Sequence, residues 1–432
     1  MYTDSPAQSI HSAIGGFQTD FGGVKRYRAS VVQPVRSTLN VLDALAQARS
    51  QQLSVTIQGA GHSFRGQSLS SGGMQMRNYS KSADVTFLED GLIEVSSRSS
   101  WRFVERSLNQ AGRQSPVLTD YLDLSVGGTL SVGGMGLASI TQGFQVDHVV
   151  KLKLIQPDGR VLWCSREENS ELFRFALAGM GQVGFIDRVI MGTEPFRLLT
   201  HSLKRVHRNV GEMMTLIAEL AAPGSGVEHF NGYIGGNEIA SEYGYFSNSD
   251  TLDRSPLAPN LQKAMVMRSE TDATFKIQDR RDSWMAEFPD HFQIWTDYIF
   301  TYENAVKFMA YLEPLMEQDP LNEALKAIYV LILRRPENAV PFAFLPAPPG
   351  DFLVSIGLYT MVNCWNPTLL AKTLPILKEA LATCQAMEGR PYLYGFNEMD
   401  EAMKIKFYGS DYHRLQVLRQ DHGLMGLNPE SF

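Results

Sequence analysis

A glycine-rich loop that directly follows a short apolar run is the feature that constrains this fold most. Residues 53–57 read LSVTI, which predicts a strand, and residues 58–67 continue as QGAGHSFRGQ. Glycine readily adopts positive φ angles, so such a loop can turn successive backbone N–H groups toward one point. N–H groups that converge in this way form a concavity suited to a phosphate. We therefore predict a phosphate site here, with the His62 side chain at its edge.

A second glycine-rich segment, residues 118–136, reads LTDYLDLSVGGTLSVGGMG and holds five glycines in its last ten positions. That density is too high for a helix or strand interior, so it predicts an irregular backbone passing close to a flat or bulky ligand. Asp120 precedes these glycines and is followed by Tyr121, Leu122 and Leu124. Apolar neighbours can bury a carboxyl group, and burial raises its pKa and suits it to act as a general base.

A third segment, GMGQVG at residues 179–184, fits the dinucleotide pattern GxGxxG. In a Rossmann fold this loop follows a strand and opens a helix. Here a predicted helix over 170–178, with Asn169 as its cap, precedes the loop and a strand over 185–191 follows it. The order excludes a Rossmann domain and predicts a tight helix-to-strand turn. The P-loop pattern GxxxxGK[ST] does not occur in the sequence.

The remaining hydrophobic pattern predicts an α+β fold. Apolar residues at helical spacing predict further helices over 39–48, 99–111, 210–220, 303–312 and 368–387. Apolar runs bounded by turn residues predict strands over 28–32, 149–155, 160–163 and 352–362, and a hairpin within 84–96 that turns at 89–91. After Pro195 no loop is as glycine-dense, which indicates a second domain built from a sheet and helices. The tail from Tyr392 onward is rich in turn residues.

Composition excludes several classes of protein. The net charge of −7 over 432 residues argues against a nucleic-acid partner, because nucleic-acid-binding domains usually carry a basic patch. The three cysteines, Cys164, Cys364 and Cys384, have neither metal-site nor disulfide-framework spacing, which fits a reducing compartment. The sequence shows no signal-peptide pattern and no apolar run long enough for a membrane span, so we expect a cytoplasmic protein without membrane association.

Two candidate residues also have ordinary explanations. His62 alone would be a hydrogen-bonded loop histidine, and no second histidine lies at a metal-ligand spacing from it, so we expect no metal site. Asp297 lies in WTDY at residues 295–298, which repeats the Thr-Asp-Tyr of residues 119–121. No glycine loop follows this second copy, so we predict a structural role for Asp297.

Together these segments resemble the flavin-binding half of the vanillyl-alcohol-oxidase superfamily, whose members carry a PCMH-type FAD-binding domain, and most closely the cytokinin dehydrogenases. The similarity rests on residues 59–67, residues 119–134, the run from residue 156 through GMGQVGFIDRV, and LNPESF at the end of the chain. It implies a two-subdomain FAD-binding domain over 1–197, an α/β substrate or cap domain with an antiparallel sheet over 198–384, and a C-terminal segment over 385–432 that returns to the first domain.

The resemblance also implies roles for particular residues. His62 would be bonded to FAD, as the sole link because no cysteine lies within 115–130, and Asp120 would be the substrate base. Asn231 aligns loosely with a glutamate that assists this base, while Ala60 and Leu118 replace an arginine and a tryptophan of the family. The other implied FAD-contacting residues are Gly59, Ala60, Gly61, Ser63, Gln67, Ser125, Gly128, Ser131, Met135, Phe185, Ile186, Tyr392 and Asn428.

The implied function is oxidation of a C–H bond next to an amine nitrogen or an alcohol oxygen, with hydride transfer to flavin N5 and O₂ or a quinone-like molecule as electron acceptor. Two alternatives stay open. The first is a noncovalent flavin reductase of the same fold that uses a nicotinamide, against which His62 argues. The second is a flavin-binding protein without enzymatic activity, for which the changes at Ala60, Leu118 and Asn231 leave room.

Overall fold

The fold comes from a computed structural model that describes residues 17–236, 238–249, 251, 253–262, 265–268, 290–345 and 352–432. Its α-helices are α1 Thr38–Ser50, α2 Trp101–Gln110, α3 Val126–Leu130, α4 Ser139–Gln142, α5 Ser170–Ala176, α6 Val210–Ala221, α7 Tyr302–Met316, α8 Leu321–Ala324, α9 Pro367–Ala386 and α10 Glu401–Asp421. Two short 3-10 turns lie at Glu89–Gly91 and Gln145–His148. The amino-terminal residues 1–16, where we searched for a signal peptide, lie outside the described residues.

The strands of the first part of the chain are β1 Gln18–Thr19, β2 Arg26–Tyr27, β3 Val31–Pro34, β4 Val55–Gln58, β5 Met74–Arg77, β6 Val85–Phe87, β7 Leu92–Ser96, β8 Arg113–Gln114, β9 Val149–Ile155, β10 Val161–Ser165, β11 Phe185–Gly192 and β12 Glu194–Pro195. Strands β3, β5 and β4 form a parallel sheet in that order. Strands β10, β9, β11, β7 and β6 form a five-stranded antiparallel sheet.

The later strands are β13 Leu199–His207, β14 His229–Gly235, β15 Glu238–Ser247, β16 Met265–Arg268, β17 His291–Thr301, β18 Leu325–Arg334, β19 Phe352–Asn363 and β20 Arg390–Pro391. They form one eight-stranded sheet in the order β16-β13-β15-β14-β18-β19-β17-β20, in which every pair is antiparallel. The predicted mixture of helices and sheets is thereby confirmed. The proposed domain boundaries at 197 and 384 stay predictions.

Helix α1 shows how the sequence builds the layer beneath the glycine loop. Ser37 begins the helix, and its hydroxyl accepts a hydrogen bond from the Asn40 backbone N–H. Capping of this kind stabilises a helix by about 1 kcal/mol. The apolar positions Val41, Leu45 and Ala48 recur at helical spacing and are buried in a cluster that also contains residues of β4 and β5. This packing fixes the direction in which β4 enters the loop.

The prediction of a turn-rich tail was wrong for residues 401–421, which form α10, while turns lie on both sides of this helix. Helix α10 begins after Asp400, whose carboxylate accepts a hydrogen bond from the Met403 N–H at 2.8 Å, and continues to Asp421. Gly409 interrupts it with φ 52° and ψ −126°. This break places the apolar residues on either side of Gly409 out of phase, so the tail lacks one continuous helical period.

The prediction of an irregular backbone across the glycines was also wrong for residues 126–130, which form α3. The Ser125 hydroxyl accepts a hydrogen bond from the Gly128 N–H at 3.2 Å, and the Gly127 N–H donates to the Ser97 carbonyl at 2.7 Å. A Cβ on Gly127 would lie 2.8 Å from the Ser97 Cβ. Close packing against Ser97, and not irregular backbone geometry, requires glycine there.

Asn169 does begin α5, but it does not cap the helix with its side chain. Its backbone is left-handed, with φ 48°, and its amide donates to the Trp163 carbonyl at 2.7 Å. Helix α5 ends at Ala176, two residues before the predicted end. The predicted turn over 179–184 follows and leads into β11, as its position in the sequence indicated.

A buried ion pair connects the early part of the chain to the segment after β18. The guanidinium of Arg335 donates to the carboxylate of Asp147 at 2.7 Å, and the two side chains are 1% and 0% exposed. Asp147 also accepts from the Phe144 N–H at 3.0 Å. Taking both charges out of water costs free energy, so neither partner can be removed alone without leaving an unpaired buried charge.

We predict that Arg335→Met lowers the free energy of unfolding by about 3–5 kcal/mol, because it leaves the Asp147 carboxylate buried without its counter-ion. The matched control is Arg414→Met, since the Arg414–Glu171 pair is 44% exposed on both sides and should contribute less than about 1 kcal/mol. Urea unfolding midpoints at unchanged slope measure both. Equal losses in the two variants would contradict the assignment.

Candidate functional site

A cavity of about 520 Å³ lies between the glycine loop and one face of the eight-stranded sheet. Volumes of roughly 300–1,000 Å³ are typical of small-molecule sites. Each predicted cofactor-contacting residue lines it: Gly59, Ala60, Gly61, His62, Ser63, Gln67, Asp120, Ser125, Gly128, Ser131, Met135, Phe185, Ile186, Tyr392 and Asn428. Segments far apart in the sequence therefore meet at one place.

The glycine loop passes very close to the start of α3. A Cβ on Gly59 would collide with the Ser125 hydroxyl, so only glycine fits at this position. Gly61 has φ +82°, in the region that favours glycine. The loop and the first turn of α3 thus share one wall of the cavity, which is lined by glycines and by Ser63 and Ser125.

Gln67 ties this loop to the chain near its end. Its amide nitrogen lies within 3.1–3.3 Å of the carbonyl oxygens of Leu393, Tyr394 and Gly395, and its amide oxygen accepts from the Arg65 N–H at 2.7 Å. The Gln67 side chain is 4% exposed. Its polar atoms bind the protein itself, so Gln67 acts by positioning the segment that carries Tyr394.

Asn428 joins two other walls of the cavity. Its amide oxygen accepts from the Ile57 N–H at 2.7 Å, and its amide nitrogen donates to the Gly181 carbonyl at 2.7 Å. One side chain thus binds β4 to the turn that precedes β11. Tyr392 makes a comparable link, because its hydroxyl accepts from the Gly134 N–H at 2.9 Å. Both tail residues hold the glycine segments in place.

The His62 ring is half-buried and oriented by aromatic neighbours. Its centroid lies 3.7 Å from that of Phe21 at an interplanar angle of 30°. On other sides it lies 5.3 Å from Tyr121 and 6.1 Å from Trp295. The imidazole therefore lines the cavity where the glycine loop approaches the sheet.

One face of the eight-stranded sheet supplies the rest of the cavity, and sequence reasoning missed it. Antiparallel pairing places two rows of residues side by side across four neighbouring strands. The first row is Tyr233 on β14, Tyr329 on β18, Gly357 on β19 and Asp297 on β17. The second row is Ala327 on β18, Tyr359 on β19 and Trp295 on β17. Side chains two residues apart share a face of a strand, so these rows point the same way. All of them except Gly357, which has no side chain, line the cavity. The alternation was visible within 291–301, but its significance depended on pairing partners distant in the sequence.

Asp297, for which we predicted a structural role, lines the cavity. The side chain is 2% exposed, and its carboxylate accepts a hydrogen bond from the Tyr394 hydroxyl at 2.7 Å. Burial raises the pKa of Asp297 to about 7, the Tyr394 hydrogen bond opposes this shift, and the negative charge of Asp120 adds to it. No glycine loop is needed to bring Asp297 to the cavity, because the sheet itself carries this residue there.

Asp120 is half-buried at the cavity wall, near enough to Asp297 for their charges to interact. The two Thr-Asp-Tyr segments therefore meet across one space. Asn231, the loose counterpart of an assisting glutamate, lies on β14 and is 6% exposed, but it is not among the described residues that line this cavity. Leu118, at 2% exposure, is part of the main core.

The walls fit a flavin dinucleotide by two criteria. The glycine loop and α3 approach so closely that a Cβ on Gly59 would not fit, and this wall is built of small residues that let a ligand come close to the backbone. The opposite wall, formed by Trp295 and Tyr359, is aromatic and broad, with ring centroids 4.7 Å apart. Among described residues, no helix is both long and apolar enough to cross a membrane, and no cluster of His, Cys, Asp and Glu could hold a metal ion.

Comparison with known proteins points the same way. Residues 29–165 match the family described as FAD binding domain. The chain is 36% identical over 179 residues to an uncharacterized oxidoreductase, ORF5 in the fasciation locus of Rhodococcoides fascians, covering 41% of this chain and 40% of that protein. It is 35% identical over 149 residues to cytokinin dehydrogenase 1 of Arabidopsis thaliana, covering 34% and 26%, and 29% identical over 249 residues to cytokinin dehydrogenase 2 of the same plant, covering 55% and 48%.

The predicted resemblance to cytokinin dehydrogenases is confirmed, and the chain contains an FAD-binding domain. The matches span less than half the length of each of these relatives. The matched family region includes the glycine loop, His62, Asp120 and α3. It ends before β11 and before the sheet that carries Trp295 and Asp297, so the family match covers one side of the cavity.

We predict that Gly59→Ala lowers the amount of FAD that co-purifies with the protein at least severalfold, because the new Cβ collides with the Ser125 hydroxyl. The second change Ser125→Ala removes that hydroxyl and should restore FAD content in the double variant. Its own cost is a lost helix cap, about 1 kcal/mol. The measurement is the ratio of absorbance at the flavin band to absorbance at the protein band.

Gly426→Ala is the matched control, because its Cβ would meet only the Ser54 Cα at 3.8 Å, an ordinary contact. A Gly59→Ala protein that retains its full flavin content would show that the loop does not lie against the cofactor.

Proposed function

We propose that this protein is an FAD-dependent oxidoreductase that oxidises a C–H bond next to an amine nitrogen or an alcohol oxygen, with FAD joined to His62 by a single covalent bond. The observation that carries the proposal is the meeting of His62 and Asp120, from two different glycine-rich segments, at one cavity. When bound, the flavin supplies a hydride acceptor at its N5 atom, while the protein orients the substrate and moves protons.

The proposed role of Asp120 follows from the chemistry of the donor. A carbon gives up a hydride more easily once the neighbouring N–H or O–H has lost its proton, because the lone pair then stabilises the developing positive charge. A carboxylate within hydrogen-bond reach can accept that proton as a general base, typically worth about 10²–10⁴ in rate. Asp120 is half-buried at the cavity wall and is partly screened from bulk water.

The proposed link to His62 is supported by its placement and by the lack of a cysteine among the described residues that line the cavity. The Phe21 ring, with its centroid 3.7 Å from the imidazole centroid, restricts the orientation of His62. No cysteine is among the described residues that line the cavity, and Cys164 and Cys384 are buried elsewhere. We therefore propose a single histidyl link, without a second link through a cysteine.

The class of donor is proposed from the relatives. Two of them are named cytokinin dehydrogenases, and the third is an oxidoreductase. We carry over the general reaction, oxidation next to a heteroatom, and leave open whether O₂ or a quinone-like molecule receives the electrons. The sheet face that would contact the substrate lies outside the matched family region. The choice of substrate would therefore depend on sheet residues that the family match does not cover.

We expect acid-precipitated wild-type protein to remain yellow and fluorescent, and His62→Ala protein to release its flavin into the supernatant. The covalent bond survives unfolding, whereas noncovalent contacts do not. His413→Ala is the control, since His413 is exposed on α10, away from the cavity. Flavin released from the wild-type protein would favour a noncovalent flavoprotein, and NADPH bleaching of it would identify a reductase.

We expect Asp120→Asn to slow anaerobic bleaching of the flavin by an oxidisable amine or alcohol by about 10²–10⁴, with the flavin content unchanged. Asparagine keeps the shape of the side chain but cannot accept the proton. Asp123→Asn is the matched control, because Asp123 lies in the same loop and pairs with Arg102 at 2.7 Å outside the cavity lining. Wild-type bleaching rates in Asp120→Asn would remove Asp120 from the reaction.

A further inference from the structure

We infer that Asp297, facing Asp120 across the cavity, makes this site selective for substrates that carry a positively charged nitrogen group on a flat apolar skeleton. This inference rests on the proposed function and deepens it, since it narrows the donor class from amines and alcohols to cationic amines. It concerns the sheet side of the cavity, which lies outside the matched family region.

The charges that line the cavity support this selectivity. Asp120 and Asp297 both contribute carboxylates, while no lysine or arginine occurs among the described lining residues. The titratable side chains that share the cavity with Asp297 are Asp120 before α3, Tyr233 on β14, Tyr329 on β18, Tyr359 on β19, Tyr392 and Tyr394 after β20, and His62 and Tyr121 across the space. A cation would interact favourably with both carboxylates, and an anionic substrate would be repelled by them.

Aromatic side chains surround the same carboxylate. Trp295 and Tyr359 stack with centroids 4.7 Å apart at an interplanar angle of 17°, and Tyr329 lies 6.0 Å from Tyr359. Aromatic faces attract cations through their quadrupoles, and clusters of such faces recognise ammonium groups. Their breadth also suits a flat substrate skeleton. The site thus combines a negative centre with an apolar wall.

The backbone opposite Asp297 determines how its carboxylate is presented. Gly357 is its cross-strand partner, and a Cβ there would collide with Asp297 Oδ1. On the other side, Tyr394 donates to Oδ2 at 2.7 Å and is itself hydrogen-bonded to Tyr359. Because Gln67 holds the Tyr394 segment, the carboxylate is oriented by contacts that continue to the glycine loop.

This arrangement makes cation binding depend on pH in a defined direction. Burial and the nearby charge of Asp120 raise the pKa of Asp297 to about 7, so the carboxyl group is neutral below that pH and charged above it. A bound cation favours the charged form. By linkage, affinity for a cation of fixed charge rises as pH increases through about 7, and affinity for a neutral ligand does not.

The same arrangement fits the proposed chemistry. An ammonium substrate has no free lone pair, so it must transfer one N–H proton to a carboxylate before its carbon can lose a hydride. With two carboxylates at the site, Asp297 pairs with the ammonium group as it binds, and Asp120 accepts one N–H proton to leave a neutral amine. The positive charge returns to the substrate as an iminium when its carbon passes a hydride to the flavin, and Asp297 then faces that cation. An alcohol offers no charge for Asp297 to hold.

The test uses three ligands with one flat skeleton and different charges: benzamidinium, benzamide and benzoate. None has an oxidisable C–H next to nitrogen or oxygen, and the amidinium keeps its charge throughout the range measured. Dissociation constants for the flavin-loaded protein are measured from perturbation of the flavin spectrum between about pH 5.5 and about pH 8.5. We expect benzamidinium to bind about tenfold or more tightly than benzamide at the alkaline end, benzoate to bind weakest, and only benzamidinium to lose about tenfold or more at the acid end.

Asp297→Asn should remove both the preference for benzamidinium and its pH dependence, while affinity for benzamide stays within about twofold. Tyr394→Phe provides a second measurement that keeps the carboxylate. It removes a hydrogen bond that lowers the pKa of Asp297, so the pH dependence should shift to higher pH. A structural role alone would not move that midpoint.

Three results would overturn the inference. The first is equal affinity for benzamidinium and benzamide, the second is no binding of either ligand, and the third is a wild-type pH profile in Asp297→Asn. The flavin content of the wild-type protein separates this failure from failure of the proposed function. A flavin-loaded protein that reduces its flavin with an alcohol but ignores the cation keeps the function and loses the selectivity. A protein without flavin loses the proposed function itself.

Discussion

The attachment of the glycine loop to the end of the chain is the constraint on which the rest of the site depends. Gln67 is 4% exposed and binds three successive carbonyl groups, those of Leu393, Tyr394 and Gly395. The Asn428 side chain makes a similar link on another wall of the cavity, where its amide bonds to the backbone of Ile57 and of Gly181. A buried amide that loses its partners costs about 1–3 kcal/mol, so these bonds are difficult to exchange for others. The glycine loop and the turn at Gly181 are therefore held in shape by residues 247 or more positions further along the chain.

Helix α10 near the end of the chain also helps to hold the walls of the cavity together. Arg419 on α10 is 4% exposed and donates to the carbonyls of Gln182 and Leu427 at 2.8 and 2.9 Å. Burial lowers the pKa of this guanidinium to about 10, which leaves it charged at neutral pH. Helix α10 places the Arg419 guanidinium at the turn before β11. Residues 424–428 then run beside β4. One element thereby fixes the turn, the strand and Asn428 together.

The sequence was most informative where function constrains consecutive residues. The loop at 58–67, Asp120 and the turn at 179–184 are local patterns, and the strand and helices around them lie close to their predicted positions. The sheet side of the cavity was harder to predict from the sequence, because Asp297 reaches the cavity through pairing with Gly357, sixty residues further along the chain. Helix α10 was missed for a related reason, since Gly409 breaks its period. Contacts between distant segments, and interruptions of periodicity, leave little trace in a single sequence.

The two ends of the cavity are expected to bind groups of opposite charge. Among the described residues, no lysine or arginine lines either end. At the glycine loop we expect an anionic phosphate, and the donors that line this end are neutral backbone N–H groups and the hydroxyls of residues such as Ser63 and Ser125. Asp297 on the sheet and Asp120, which faces it from the segment before α3, present negative charge and would repel that same phosphate. This distribution of charge favours a phosphate at the loop over one at the sheet. A lysine or arginine at either end would weaken that distinction, because it would attract the phosphates and neutralise the carboxylates alike.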